Sequence, residues 1–176
     1  DTPADILAHL IVGSEGTLGF VAEAVFRTVP KLNHVTTGLL IFDHLEAANA
    51  ALPALVETGA ATLELMDALS LTVGQALPGT PQVILDLAVR EHAALLVEYH
   101  AASAESLLEQ QHVGAKLVSS LPLSAPAGFS ADAAARAQLW HLRKGLYAAV
   151  AGARRQGTTA LLEDVVVPVP ALGRTC

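Results

Sequence analysis

The sequence contains little charge, few aromatic residues and almost no cysteine. Its one cysteine, Cys176, is the last of 176 residues, which excludes an internal disulfide and a cysteine-rich metal site. No apolar run reaches the roughly 20 residues that a membrane-spanning helix requires, so no transmembrane segment is predicted. Ten basic residues stand against 17 acidic ones, for a net charge of −7. Because no basic patch is present, we do not expect nucleic acid as a partner.

Apolar residues make up 52% of the sequence and charged residues only 15%, with a mean hydropathy of +0.47. The excess is mostly alanine and leucine at helical spacing. This composition predicts a soluble domain that buries one face against something else. The length suits one large domain, or one domain and part of another.

A glycine-rich segment lies near the start of the chain. Residues 11–20 contain Gly13, Gly16 and Gly19, with apolar stretches before and after them. Glycine permits positive φ and close approach of the backbone to a ligand or another backbone. The alternatives are a glycine-rich hairpin and a ligand-contacting turn. The spacing differs from G-x-G-x-x-G, so it does not predict a dinucleotide-binding fold.

The remaining pattern predicts an α+β domain with a mostly antiparallel sheet and helices packed on one face. A β-hairpin is expected over 6–29, ended by Pro30, and a domain boundary separates 1–33 from 34–176. Strands are predicted at 35–42, 93–100 and 158–167, with a short edge strand at 118–123. Helices are predicted at 44–58, 61–77, 83–89, 103–117 and 130–155.

The last of these helices carries a stripe that suits binding of a carboxylate. Arg136, Trp140, Arg143 and Tyr147 are spaced by four, three and four residues and therefore share a helix face. A guanidinium stacked between aromatic rings is held stiffly and can bind a carboxylate through two parallel hydrogen bonds. The alternative is an arginine whose stem packs on Trp140 while its charge stays in water.

Two pairs of ionisable residues suggest other chemistry. Glu98 and His100 share a strand face, but no third ligand is apparent, so no metal site is predicted. Glu163 and Asp164 are adjacent in a predicted strand and point to opposite faces. They are expected to have a structural role, since they cannot act on one substrate atom together.

Several blocks resemble one family. They are GSEGTLG at 13–19 followed by RTVP at 27–30, TLELMD at 62–67, LWHLRKGL at 139–146, GTT at 157–159 and EDVVVP at 163–168. In order and spacing these blocks resemble the FAD-linked oxidases of the vanillyl-alcohol-oxidase type. The similar branch holds the glycolate oxidase FAD subunit and the D-lactate and D-2-hydroxyglutarate dehydrogenases, especially long bacterial members fused to an iron–sulfur half.

The resemblance implies a fragment of such an enzyme. Residues 1–33 would be the C-terminal tail of the FAD-binding domain, and 34–176 part of the C-terminal substrate domain. Arg143 would bind the substrate carboxylate, with help from Tyr147, whereas Leu162 replaces a lysine that some relatives use. No catalytic residue is assigned, because the family's base lies outside these residues. The resemblance places the flavin contacts at Gly13, Ser14, Glu15, Gly16, Thr17 and Gly19.

The implied function is oxidation of a D-2-hydroxy acid, of the D-lactate, glycolate or D-2-hydroxyglutarate type, by hydride transfer to FAD. The parent would be cytoplasmic; the alternative location is the surface of the inner membrane, as a peripheral protein. No family-type pyrophosphate loop is present, so this chain alone is not expected to hold FAD. The alternative function is a stand-alone, non-catalytic ligand-binding or oligomerisation domain. A nucleotide-binding domain is disfavoured, because no strand–glycine–helix order follows Gly19.

Overall fold

The computed structural model describes residues 2–158 and 166–175. Most of the strand predicted at 158–167, with Leu162, Glu163 and Asp164, lies outside the described residues. The chain forms two compact units, Asp1–Lys31 and Leu32–Cys176. Within the described residues, no helix is both long enough and apolar enough to cross a membrane.

The first unit contains helix α1, Pro3–Gly13, where a strand of the hairpin was expected. The Thr2 hydroxyl accepts a hydrogen bond from the Asp5 amide, and the Asp5 carboxylate accepts one from the Thr2 amide at 2.9 Å. This capping box, with Pro3 at the first helical position, gives the segment a complete helix start. Residues 14–31 form neither helix nor strand. The hairpin predicted over 6–29 is therefore wrong, because its second strand has no pairing partner among the described residues.

The second unit is built on a four-stranded antiparallel sheet in the order β2-β3-β1-β4. Its strands are β1 (His34–Phe42), β2 (Thr62–Met66), β3 (Ala93–Ala101) and β4 (Phe129–Ser130). The strands predicted at 35–42 and 93–100 correspond to β1 and β3. The α+β class with an antiparallel sheet is confirmed.

Helices pack on both faces of this sheet rather than on one. Leu40, Leu95 and Tyr99 share one core cluster with residues of helices α2 (Leu45–Glu57) and α5 (Ala104–Val118). Ile41 and Leu96, at alternate strand positions, belong to a second cluster with helices α3 (Ala68–Gly74), α4 (Gln82–Leu85) and α6 (Ala133–Ala153). The physical reason is that β3 is apolar on both sides, so each side requires a covering layer. A 3₁₀ turn (Val169–Ala171) and helix α7 (Leu172–Thr175) complete the described chain.

The helix predicted at 61–77 divides into β2 and α3. The Asp67 carboxylate accepts a hydrogen bond from the Ser70 amide at 2.8 Å and caps α3. In β2, Leu63 and Leu65 pack toward the cluster under α2 and α5, whereas Met66 is buried in the other cluster. The strand period of two explains why Leu63 and Leu65 face one cluster and Met66 faces the other. Helix α3 begins only after its cap, Asp67.

The segment that follows α5 covers the outer edge of β1 at two places. Leu123 forms an isolated bridge with Phe42, where an edge strand was predicted at 118–123. Further along, β4 pairs with Thr37 and Gly38. A Cβ atom on Gly38 would lie 2.8 Å from the Phe129 ring, so glycine is required for this close approach.

Helix α6 is fixed on the sheet by its apolar side. Leu142 and Leu146 are 1% and 5% exposed and belong to the cluster with α3. Its N-terminus is capped by Asp132, whose carboxylate accepts from the Ala135 amide at 2.8 Å, rather than by Ser130. This placement directs the polar stripe of α6 toward β1, β2 and β3.

Candidate functional site

Three residues of the α6 stripe donate hydrogen bonds to side chains of the sheet. Arg136 Nε donates to Thr37 Oγ1 at 3.3 Å, Trp140 Nε1 to Glu98 Oε2 at 2.7 Å, and Arg143 Nε to Glu64 Oε2 at 2.8 Å. In the sheet register Thr62 lies opposite Glu98, which puts Glu64, two residues further along β2, on the same face. The stripe therefore meets two carboxylates on neighbouring strands.

Glu98 is the centre of a buried polar network, with only 5% of its surface exposed. Thr37 Oγ1 donates to its Oε2 at 2.5 Å, and His100 Nε2 lies 2.6 Å from its Oε1. Arg136 Nε lies 4.0 Å from Oε2. Burial alone would raise the pKa of Glu98. The hydrogen bonds from His100, Thr37 and Trp140, together with the charge of His100, lower it by more than burial raises it. The net pKa is below the usual value, so Glu98 is ionised at neutral pH and anchors α6 on the sheet.

Glu98 and His100 bind each other, as their shared strand face allows. In the described part of the chain, no group of three or more histidine, cysteine or acidic side chains is placed to hold a metal ion. Sequence reasoning missed the role of Glu98 as the anchor of α6. The available signal was a glutamate within a mostly apolar strand, because a buried carboxylate requires several donors.

The guanidinium of Arg143 is held at its Nε atom by Glu64. Its Nε donates to Glu64, and the two side chains are 39% and 29% exposed. Among the described residues, no side chain or backbone carbonyl accepts a hydrogen bond from its two terminal nitrogens. The sequence left open whether aromatic stacking holds this arginine or its stem packs on Trp140; the cation over the Trp140 ring is Lys144, at 5.9 Å. Glu64 supplies the rigid contact instead.

Tyr147 lies one helical turn beyond Arg143 and is 54% exposed. Within the parts of the chain described above, its hydroxyl has no hydrogen-bond partner. The structure brings Tyr147 and Arg143 to the same side of α6, as the helical spacing predicts. Its contact with a substrate stays a prediction.

Residues 31–176 match the family of FAD linked oxidases, C-terminal domain. This chain belongs to the FAD-linked oxidase family. Over 69 residues it is 39% identical to the glycolate oxidase subunit GlcD of Bacillus subtilis, a stretch covering 38% of this chain and 15% of that protein. Over 117 residues it is 32% identical to an uncharacterized FAD-linked oxidoreductase of Mycobacterium tuberculosis, which covers 64% of this chain and 25% of that protein. The matches thus span a quarter or less of the relatives' lengths.

Membership of the FAD-linked oxidase family implies FAD as the cofactor of the parent protein. In this structure, residues 13–19 form the turn that ends α1. Ser14 Oγ donates to the Ile11 carbonyl at 2.8 Å, and Thr17 Oγ1 to the Ser14 carbonyl at 2.7 Å. Both hydroxyls are thus used within the turn. The backbone at Gly16 has φ +83°, and no atom of the described residues lies within 4 Å of its Cβ position. The flavin contacts of residues 13–19 stay a prediction.

Proposed function

We propose that this FAD-linked oxidase chain serves oxidation of a D-2-hydroxy acid, with Arg143 binding the substrate carboxylate. The candidate acids are D-lactate, glycolate and D-2-hydroxyglutarate. Support comes from the family, from the similarity to a glycolate oxidase subunit, and above all from the geometry of Arg143. FAD bound in the parent would accept the hydride of the substrate.

The geometry of Arg143 favours carboxylate recognition because only part of its donor capacity is used. A guanidinium has five N–H donors in a planar fork. Glu64 accepts the Nε hydrogen, and among the described residues no group accepts from the two terminal nitrogens, which carry four hydrogens. A carboxylate can accept two of these in parallel, which gives both affinity and orientation. Partial exposure of the side chain, at 39%, allows a small acid to reach it.

The same proposal assigns a separate role to each of the two segments of the chain. Residues 1–33 are the tail of the FAD-binding domain, with flavin contacts from 13–19, and 34–176 form part of the substrate domain. Tyr147 assists Arg143 at the carboxylate. The base that removes the hydroxyl proton comes from elsewhere in the parent, which is cytoplasmic and works with an iron–sulfur half. These 176 residues alone hold FAD poorly, since they contain no pyrophosphate-binding loop of the family's type to supply backbone N–H groups.

The test is steady-state kinetics of the full-length flavoprotein with an artificial electron acceptor. Arg143→Ala should raise KM for the D-2-hydroxy acid by at least about 10- to 100-fold, because the loss of even one charge-assisted hydrogen bond costs roughly 1.5–3 kcal/mol. Arg143→Lys should recover only part of this, since an ammonium lacks the planar fork.

Arg90→Ala is the matched control, because Arg90 is exposed on a loop of the same unit and makes no side-chain hydrogen bond among the described residues. Its KM should equal that of the wild type. An unchanged KM of Arg143→Ala for D-lactate, glycolate and D-2-hydroxyglutarate would remove Arg143 from the substrate site.

A further inference from the structure

Glu64 occupies a position that is fixed by the sheet. It lies in the middle of β2, opposite Leu96 of β3, in a ladder that pairs all five residues of β2. The neighbouring Met66 is 1% exposed and holds the same face of the strand in the core. The carboxylate of Glu64 therefore projects from a rigid backbone toward α6, and its Oε2 lies 2.8 Å from Arg143 Nε.

Arg143 depends on this contact for its orientation. An arginine side chain has several rotatable bonds, and holding it in one conformation costs entropy. Its 39% exposure leaves it weakly confined by packing, and the ring of Trp140 is covered by Lys144 rather than by Arg143. In the described chain, the bond to Glu64 is the one hydrogen bond that fixes the plane of the guanidinium.

The choice of Nε as the donor determines which part of the guanidinium remains for a ligand. A carboxylate can approach through Nε and one terminal nitrogen, or through the two terminal nitrogens. Because Glu64 accepts from Nε, a second carboxylate is directed to the terminal pair. The approach of the substrate is then set by the backbone of β2, through Glu64, rather than by the flexible stem of the arginine.

We infer that Glu64 is a positioning residue that orients Arg143 for the substrate carboxylate. This inference rests on the proposed function, because it assigns Glu64 a role only through Arg143. It extends that proposal by naming the group that selects the ligand-binding edge of the arginine.

The experiment is a double-mutant cycle in the full-length flavoprotein, with KM and kcat measured for the D-2-hydroxy acid that the wild type oxidises best. Glu64→Ala should raise KM by about tenfold with a smaller change in kcat, because Arg143 loses the charge-assisted hydrogen bond that orients it. Glu64→Gln keeps an acceptor oxygen for Nε and should restore KM to within about threefold of the wild type. In an Arg143→Ala background, Glu64→Ala should have no further effect on KM.

Flavin absorbance per protein and the melting temperature serve as folding controls. If Glu64→Ala does not fold, Glu64→Asp replaces it: the shorter side chain withdraws the acceptor by roughly one carbon–carbon bond, so KM should rise while Glu64→Gln stays near the wild type. Equal KM values for Glu64→Asp, Glu64→Gln and the wild type would overturn the inference.

The outcomes separate the two proposals. If Arg143→Ala raises KM but Glu64→Ala does not, or if the effects of the two changes multiply independently, Glu64 does not act through Arg143 and only the inference fails. If Arg143→Ala leaves KM unchanged, the proposed function fails and the inference fails with it. A rise in KM for Glu64→Ala that disappears in the Arg143→Ala background supports both.

Discussion

Replacing Glu98 with glutamine should destabilise the second unit by an amount that depends on pH. Oε2 of Glu98 accepts hydrogen bonds from Thr37 and Trp140, and Oε1 faces His100. Glutamine has the same shape, so its carbonyl oxygen can take the place of Oε2 and keep two of these bonds. What is lost is the negative charge that strengthens these contacts, together with the acceptor for His100, because the amide nitrogen in place of Oε1 cannot accept a hydrogen bond.

The magnitude follows from the kind of hydrogen bond. A bond to a charged acceptor contributes roughly 1.5–3 kcal/mol, against about 0.5–1.5 kcal/mol for a neutral one. Losing charge assistance in two or three bonds costs about 2–4 kcal/mol, and the lower cost of burying a neutral amide offsets part of this. We expect a net loss of about 1–3 kcal/mol in the free energy of unfolding at pH 7.

The pH dependence distinguishes this explanation from a packing effect. The folded pKa of Glu98 is depressed, so its charge stabilises the folded state fully above the unfolded pKa, about 4.3. That stabilisation is lost as the pH falls through the lower, folded pKa. The difference between wild type and Glu98→Gln should therefore shrink as the pH falls below about 4.3.

The assay is urea unfolding of the 176-residue chain, followed by the fluorescence of Trp140, which is the one tryptophan in the sequence. Its indole donates directly to Glu98. Glu109→Gln, an exposed position on α5, is the matched control and should change stability by less than about 0.5 kcal/mol. Equal stability of Glu98→Gln and wild type at pH 7, or a difference that stays constant into the acid range, would refute the reasoning.

Two further predictions concern packing, and urea unfolding measures both. Leu142→Ala should cost about 2–5 kcal/mol, because Leu142 is 1% exposed between α6 and α3 and truncation leaves a cavity; a loss below about 1 kcal/mol would show that this interface is not well packed. Gly114→Ala should cost about 1–3 kcal/mol, since its Cβ would lie 2.8 Å from Cε2 of the buried Tyr99 ring and overpack the core. At Gly152 no atom of the described residues lies within 4 Å of the Cβ position, so Gly152→Ala should be neutral or stabilising by up to about 1 kcal/mol. Similar effects of the two alanines would contradict the geometry.

Elements with a strong local signal could be predicted from the sequence. The apolar runs at 35–42 and 93–100 are strands, and Ser103 caps α5, as its hydroxyl accepts from the Ser106 amide at 3.1 Å. These features depend on neighbours within a few residues, which a sequence displays directly.

Features that depend on the sheet register could not be obtained this way. Leu63, Leu65 and Met66 fit a helical stripe and a strand about equally well, and only pairing with β3 decides between them. By contrast, the sequence does indicate that both faces of the sheet are covered, because β3 is a nearly continuous apolar run, which is typical of a strand buried on both sides.

In the candidate site, too, the local feature could be predicted from the sequence and the long-range contacts could not. The helical spacing of Arg136, Trp140 and Arg143 predicted that they share a face, and they do. Their acceptors could not be predicted, because Glu98 lies 42 residues from Trp140 and Glu64 lies 79 residues from Arg143 in the chain. Only folding of β2 beside β3 brings the two carboxylates under one helix.

The two edges of the sheet differ in their capacity to accept another strand. On the β1 side, Ser124 N donates to the Ile41 carbonyl at 2.8 Å, and β4 takes the pairing positions of Thr37 and Gly38. On the opposite side, β2 is the last strand among the described residues, and one row of its backbone donors and acceptors faces outward. As far as the described residues go, the sheet can be extended past β2, whereas it is closed to addition at the occupied positions of β1. Any strand that joins it at β2 would lie next to Glu64 and would extend the platform from which Arg143 is held.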